Sequence, residues 1–296
     1  MKLKRFSGNS ARAGLSLFLA IVILGCSNCT NPTYTKKQID SATENILKKE
    51  YKLEAKAKLL GDTLSVYLPV QDIISPAKNP KKIKEIFEVG EVKSAFNDAS
   101  FVVNYDINKI RPLEKIDPYE INKEVSEKVG KVLRTLVRVI SSTAHSKENQ
   151  PEFLRIIIGD TNSGFEIVNT IYTLDLKKVA YNLISTTEYQ HRTIQDTAIN
   201  AKLIGDIKGN SIQFKEVKMK DFIAGQIVQR ILRKFQKPEV DKNADIDAEI
   251  LKVIVSVMQI YDFNGFSDAE LNNLVTNSRL KLNRAAIMTG PSEKRF

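Results

Sequence analysis

Between residues 51 and 70 the chain alternates with a period of two. Tyr51, Leu53, Ala55, Ala57 and Leu59 alternate with Lys52, Glu54, Lys56 and Lys58, and after Gly61-Asp62 the apolar positions resume at Leu64, Val66, Leu68 and Val70. Successive side chains of a strand point to opposite faces, so each apolar set lies on one face. A two-residue turn at Gly61-Asp62 sets Leu59 against Leu64, Ala57 against Val66 and Ala55 against Leu68, which brings both sets to the same face. A slip of one residue would carry lysines into the core. The chain must therefore contain an antiparallel hairpin with one wet face, and other elements must cover the dry one.

Helical patterns supply the cover. Ile39, Ala42, Ile46 and Leu47 predict a helix over 36–49. Pro118, a favoured first helical residue, opens a longer one with a stripe of Ile121, Val125, Val129, Val132, Leu133, Leu136 and Ile140, ending near Ser142. A proline-bounded basic segment, Pro76 to Pro80 with Lys81, Lys82 and Lys84, leads into a helix expected to end near Phe96. Strands are expected over 101–107, 153–158 and 165–174, and a further hairpin over 203–217 about Gly209-Asn210. Beyond Val217 no strand signal recurs, and helices are expected over 221–236, 247–261 and 267–284. The fold class is thus α+β: a largely antiparallel sheet packed by helices, followed by a C-terminal helical subdomain. The division is a folded α+β domain over 36–218, the helical subdomain over 219–285 and a loose tail over 286–296.

The N-terminus has a different character. Lys2, Lys4, Arg5 and Arg12 precede an apolar run from Ala13 to Gly25, with no acid among them. A spanning helix needs roughly 20 consecutive apolar residues, and this run stops short at Cys26, Ser27 and Asn28, so it reads as an export signal. Its end, Ile23-Leu24-Gly25-Cys26, resembles the lipobox of bacterial lipoproteins. The resemblance implies that 1–25 is a removed signal peptide, that Cys26 carries the lipid, and that 26–35 is a tether. A signal anchor or a secretory peptide with a coincidental cysteine is the competing reading. Cys29 is the one other cysteine in the sequence; with Cys26 acylated no disulfide framework holds the fold, and Cys29 is read as a spare thiol in the tether, with a second acylation site as the alternative. In Gram-negative lipoproteins the residue after the lipidated cysteine helps decide sorting, and by that resemblance Ser27 implies the outer membrane, facing the periplasm.

The formal charge of +10 falls to +6 once the four basic residues of the signal are set aside. The remaining charge suits a partner such as an anionic envelope polymer, the membrane surface or another envelope protein. Nucleic acid is not expected: the basic positions fall on outer faces without interleaved aromatics, and tryptophan is absent.

No compact catalytic motif occurs. Gly-x-Ser-x-Gly, Gly-x-Gly-x-x-Gly and the P-loop are all missing, so no cofactor is expected. The densest functional-looking cluster is Thr186 to Arg192, in which Glu188, His191 and Arg192, with Tyr189, are the catalytic candidates on a polar loop. Asp160, Glu166 and Asp175 bracket the 153–174 hairpin, where Asp160 is explained by its turn preference. Asp241, Asn243 and Asp245 resemble the first three ligands of an EF-hand calcium loop, but Ile246 stands at the sixth position and Lys252 at the twelfth. Those departures favour helix capping, as does Ser267 with Glu270 in a capping-box spacing. The functional expectation is a lipid-anchored envelope protein with a non-enzymatic binding or assembly-support role. The alternatives are an envelope-acting hydrolase without a compact motif and a calcium-dependent binding module.

Overall fold

A computed structural model describes residues 33–144, 148–236 and 240–289. The chain divides into two compact units, one made of residues up to 79 together with 118–217, the other of 80–117 together with 218 onward. The second unit therefore begins more than a hundred residues ahead of the division expected at 218. The chain is mixed α and β with mostly antiparallel pairing and helices towards its C-terminus, as the patterning implies.

In the first unit, α1 (Ile39–Tyr51) leads into β1 (Lys56–Leu60) and β2 (Thr63–Val70). The turn at Gly61 adopts φ +56°, which glycine tolerates without strain. The register is the expected one, Leu59 opposite Leu64 and Ala57 opposite Val66. Ala55 lies before the ladder, because α1 extends to Tyr51 and Lys52 turns the chain with a left-handed φ of 55°. The other strands are β5 (Phe153–Asp160), β6 (Phe165–Tyr172) and β7 (Ile194–Ile199), and the sheet order is β1-β2-β5-β6-β7 with only β2–β5 parallel. Leu64, Val66, Leu68, Leu154, Ile156, Ile158, Ile167 and Ile171 form one face of this sheet. They pack with Ile39, Ile46 and Leu47 of α1 and with Val125, Val129, Val132, Leu136 and Ile140 of α2 (Lys123–Ser141). The stripe on α2 is the expected one. Its start differs: Asn122 caps the helix by accepting from Glu124 N at 3.0 Å, and Pro118 lies in a strand.

Lys58 and Leu60 of β1 are exposed on the hairpin's second face, whereas on β2 that face is not wet. Thr63, Ser65 and Tyr67 are buried there, beneath the segment expected to form a hairpin over 203–217. That segment is a single 3-10 turn at 201–203 followed by irregular chain. Leu203, Ile212 and Phe214 cover Tyr67, Ile157 and Val168, and the Tyr67 hydroxyl donates to Asp206 O at 2.8 Å. The Asp206 carboxylate accepts from Asn210 N and Ser211 N, so the Gly209-Asn210 turn signal closes a loop on its own side chain instead of joining two strands. Burial and the carboxylates of Asp206 and Glu166 push the Tyr67 hydroxyl up to about 12.

The second unit is built on β3 (Ile74–Asn97) and β4 (Ser100–Ile121), whose first and last residues belong to the first unit. Residues expected to be helical over 81–96 lie in β3. The sheet order is β3-β4-β8-β9, with β8 (Asp268–Asn273) parallel to β4 and β9 (Ser278–Asn283) antiparallel to β8. The helix expected over 267–284 is thus a hairpin, followed by α7 (Arg284–Thr289). The expected helices over 221–236 and 247–261 are present as α5 (Met219–Gln236) and α6 (Ile246–Ile260). Phe101, Val103, Tyr105 and Ile107 of β4 form a core with Ile223, Ile227, Ile231 and Phe235 of α5 and Ile250, Val253, Ile254 and Val257 of α6.

Candidate functional site

Two short helices follow β6: α3 (Thr173–Ala180) and α4 (Thr186–Arg192). Ser185 caps α4 by accepting from Glu188 N at 3.0 Å, and Thr193 begins the extended chain that becomes β7. The polar loop expected over 186–192 is therefore a helix that feeds an edge strand. Its seven residues face two ways, and the expected candidates separate accordingly.

Glu188 and Arg192 stand one turn apart and meet. Arg192 Nε donates to Glu188 Oε1 at 2.7 Å, and Nη1 donates to Asp175 Oδ1 of α3 at 2.9 Å. The Asp175 side chain is 1% exposed and that of Arg192 11%. Burial alone would lower the Arg192 guanidinium, but the two carboxylates reverse this and raise it. The triad staples α4 to α3 and engages both candidate side chains with each other. Tyr189 is buried in the core, and burial pushes its hydroxyl well above the ordinary tyrosine value. His191 is half-buried on the same helix. None of these four residues lines the slot beside α4.

The side chains between them do. Gln190 and Thr193, with Gln195 of β7, line a slot roofed by α2 and floored by the sheet. Its apolar walls are Ile121, Val125, Val129, Ile158 and Ile167, and its polar groups are Ser126, Asn169, Gln190, Thr193 and Gln195. The internal volume is about 40 Å³, room for roughly three waters at 10–15 Å³ each. Asn169 is 5% exposed and sits opposite Gln195 across the β6–β7 ladder. Gln190 Nε2 is buried with no hydrogen-bond partner among the described residues. No aspartate, glutamate, lysine, arginine or histidine lines the slot. Such a site can hold a small uncharged group by apolar contact and amide hydrogen bonds, and its lining includes no acidic or basic side chain.

No protein-family model, curated protein or solved structure matches this chain. Its chemistry is read from its own residues alone.

The remaining candidates fall elsewhere. Asp241 Oδ1 accepts from Asn243 N at 2.7 Å, and Asp245 Oδ1 accepts from Asp247 N and Ala248 N as the cap of α6. Among the described residues no three His, Cys, Asp or Glu side chains stand where they could hold one metal ion. Asp160 accepts from Asn162 N, Ser163 N and Ile73 N, a turn-closing role. Cys26, Cys29 and His145 lie outside the described residues. What sequence reasoning missed is the slot itself. Its one signal was Asn169, a carboxamide at a core-facing position of an otherwise apolar strand face between Ile167 and Ile171.

Proposed function

We propose that this chain is a lipid-anchored bacterial envelope protein that acts by binding rather than by catalysis, and that the slot between α2, β6 and α4 takes the uncharged end of its ligand or partner. The observation that carries this reading is the slot's lining: three carboxamides, one with a buried unpaired donor, among apolar walls and without any titratable group. A ligand carbonyl that satisfied Gln190 Nε2 would remove the cost of a buried unpaired donor, about 1–3 kcal/mol, and its apolar end would displace water from Val125, Ile158 and Ile167. A charged end would be desolvated there without a counter-charge and is disfavoured.

The anchor is supported by the charged, apolar and small-residue order of residues 2–26. Several acyl chains, at about 0.8 kcal/mol per buried CH₂, hold a protein at a membrane durably. No described helix is long and apolar enough to cross one.

The test of the slot uses isobutyramide, a neutral amide with a branched three-carbon end. Titration should move the Asn169 and Gln190 side-chain amide resonances and raise the melting temperature. Asn169→Leu should abolish both effects while leaving the fold intact. If the resonances stay still at high isobutyramide concentration, the slot is not a binding site. If the purified protein turns over a panel of ester, glycan or peptide substrates in a way lost on Glu188→Gln, the non-catalytic reading falls. For the anchor, Cys26→Ser should abolish fatty-acid labelling and Cys29→Ser should leave it unchanged; continued labelling of the Cys26 variant would overturn the assignment.

A further inference from the structure

The described chain enters the fold at one small patch. Thr33 N and Tyr34 N both donate to Ser142 O, at 2.8 and 3.2 Å, and Tyr34 bridges to Thr143 just past the end of α2. Gln150 extends this patch: its Nε2 donates to Ile140 O at 3.0 Å and to Thr143 O at 3.4 Å, and its Oε1 accepts from Lys177 Nζ of α3. The entry point and α3 are thus joined through a single glutamine.

α3 buries Asp175, Leu176 and Val179. Leu174, Lys177, Lys178 and Tyr181 fall at i, i+3, i+4 and i+7, on its other side. Leu174 is 46% exposed and Tyr181 63%. The helix ends with Asn182 at φ 56°, Leu183 N donating to Lys178 O and Asn182 N to Val179 O. In this Schellman arrangement the residue in Leu183's position ordinarily packs back on its own helix. Here Leu183 is 72% exposed. Singly scattered apolar residues on a surface need no explanation, but an apolar stripe bearing a tyrosine and a lysine, beside the chain's point of entry, has the composition of an interfacial surface.

We infer that Leu174, Lys178, Tyr181 and Leu183 form the surface that this protein lays on a lipid bilayer. The inference rests on the Cys26 anchor. Six residues, Ser27 to Pro32, separate Cys26 from Thr33, a reach of about 25 Å at most. Acyl chains in the membrane therefore hold the entry patch, and α3 beside it, within that distance of the headgroups. Leucine side chains there enter the acyl boundary, the tyrosine ring keeps its hydroxyl at the headgroup level, and Lys178 extends to lipid phosphate. Ile207, 61% exposed, belongs to the segment covering the opposite face of the five-stranded sheet and is held away from the bilayer.

The chain contains no tryptophan, so a single one reports its own position. Acylated full-length Leu183→Trp and Ile207→Trp variants, with acylation verified by mass, are reconstituted into phosphatidylcholine–phosphatidylglycerol vesicles with and without brominated acyl chains. Leu183→Trp should emit at shorter wavelength and lose emission in the brominated vesicles, while Ile207→Trp should do neither. If the acylated protein floats with the vesicles but Leu183→Trp is not quenched, or both variants are quenched alike, the surface is wrong and the anchor stands. If the purified protein carries no acyl chain, the anchor falls, and the reason for placing this stripe at a membrane falls with it.

Discussion

Asp160 closes the turn between β5 and β6 with both carboxylate oxygens: Oδ1 accepts from Asn162 N and Ser163 N, Oδ2 from Ile73 N. Burial would raise this carboxyl, but the hydrogen bonds outweigh it and hold it below the usual aspartate range. A folded value below the unfolded one contributes stability that is complete above the unfolded value and is lost as pH falls through the folded one. Urea unfolding should therefore show stability declining below about pH 4, near the unperturbed aspartate value. Asp160→Asn, which leaves one of these donors unmatched, should cost about 1–3 kcal/mol at pH 7 and flatten part of that decline. Arg192 offers a harsher case. Arg192→Met removes the guanidinium that pairs with Asp175, 1% exposed, and removing one partner of a buried pair costs about 3–5 kcal/mol. Equilibrium unfolding at neutral pH checks the value, and an unchanged midpoint would mean that the triad is not what holds α4. At this scale the sequence was partly legible. Asp160 closes a turn, as its turn preference implies, whereas Glu188 and Arg192, expected as catalytic candidates beside His191, are engaged with each other. Their partner Asp175, 17 positions from Arg192, could not be paired without the fold.

At the scale of elements, legibility followed the range of the interaction that sets each one. The β1–β2 register is local and was read to the residue. So was the apolar stripe of α2 from Val125 to Ile140, although Ile121, expected to begin it, ends β4. The errors lie where a distant partner decides. Residues 267–284 carry a serviceable capping pattern, yet Ala269 and Leu271 are buried as a strand face beside Phe101 and Val103 of β4, and Ser267 N donates to Ala99 O instead of starting a helix. Prolines misdirected the reading of 76–118. Pro76 and Pro80 lie in β3, at the edge of its sheet, and Pro112 and Pro118 lie in β4 beyond Tyr105, where the pairing with β8 ends. A strand can carry proline where no ladder partner needs its N–H. The capping of α6 gives a direct check: Asp245→Ala removes the acceptor for Asp247 N and Ala248 N and should cost about 1 kcal/mol. Melting curves with and without calcium on the wild type and Asp241→Ala separate capping from metal binding. A calcium-induced rise lost in the variant would revive the EF-hand reading.

The whole molecule is two units, the second interrupting the first. The first has its own sheet, helices and core, and the chain leaves and re-enters it through neighbouring strands, β3 and β4. A chain in which 80–117 are replaced by a short glycine-serine turn, and which stops at Val217, is expected to fold cooperatively and to bind isobutyramide like the intact protein. A broad, non-cooperative melt of this shortened chain would show that the first core is not self-sufficient. The interruption was not legible in the sequence. Nothing in the composition of 80–117 distinguishes a strand of one unit from a linker, and the residues that complete its core lie beyond 218.

The parallel pairing of β4 with β8 has a consequence in time. Ser100 bonds to Asp268, and the two are 168 residues apart. At a synthesis rate of about 5–20 residues per second, β4 waits on the order of 10 s or longer for its neighbour to be made. Throughout that interval one side of β4 is an unpaired template for any other nascent strand. The lysines and prolines of residues 76–84, so misleading as helix signals, crowd the adjoining strand with charge and missing donors during the same wait. That edge of β4 thus stays open until only about the last thirty residues of the chain remain to be made.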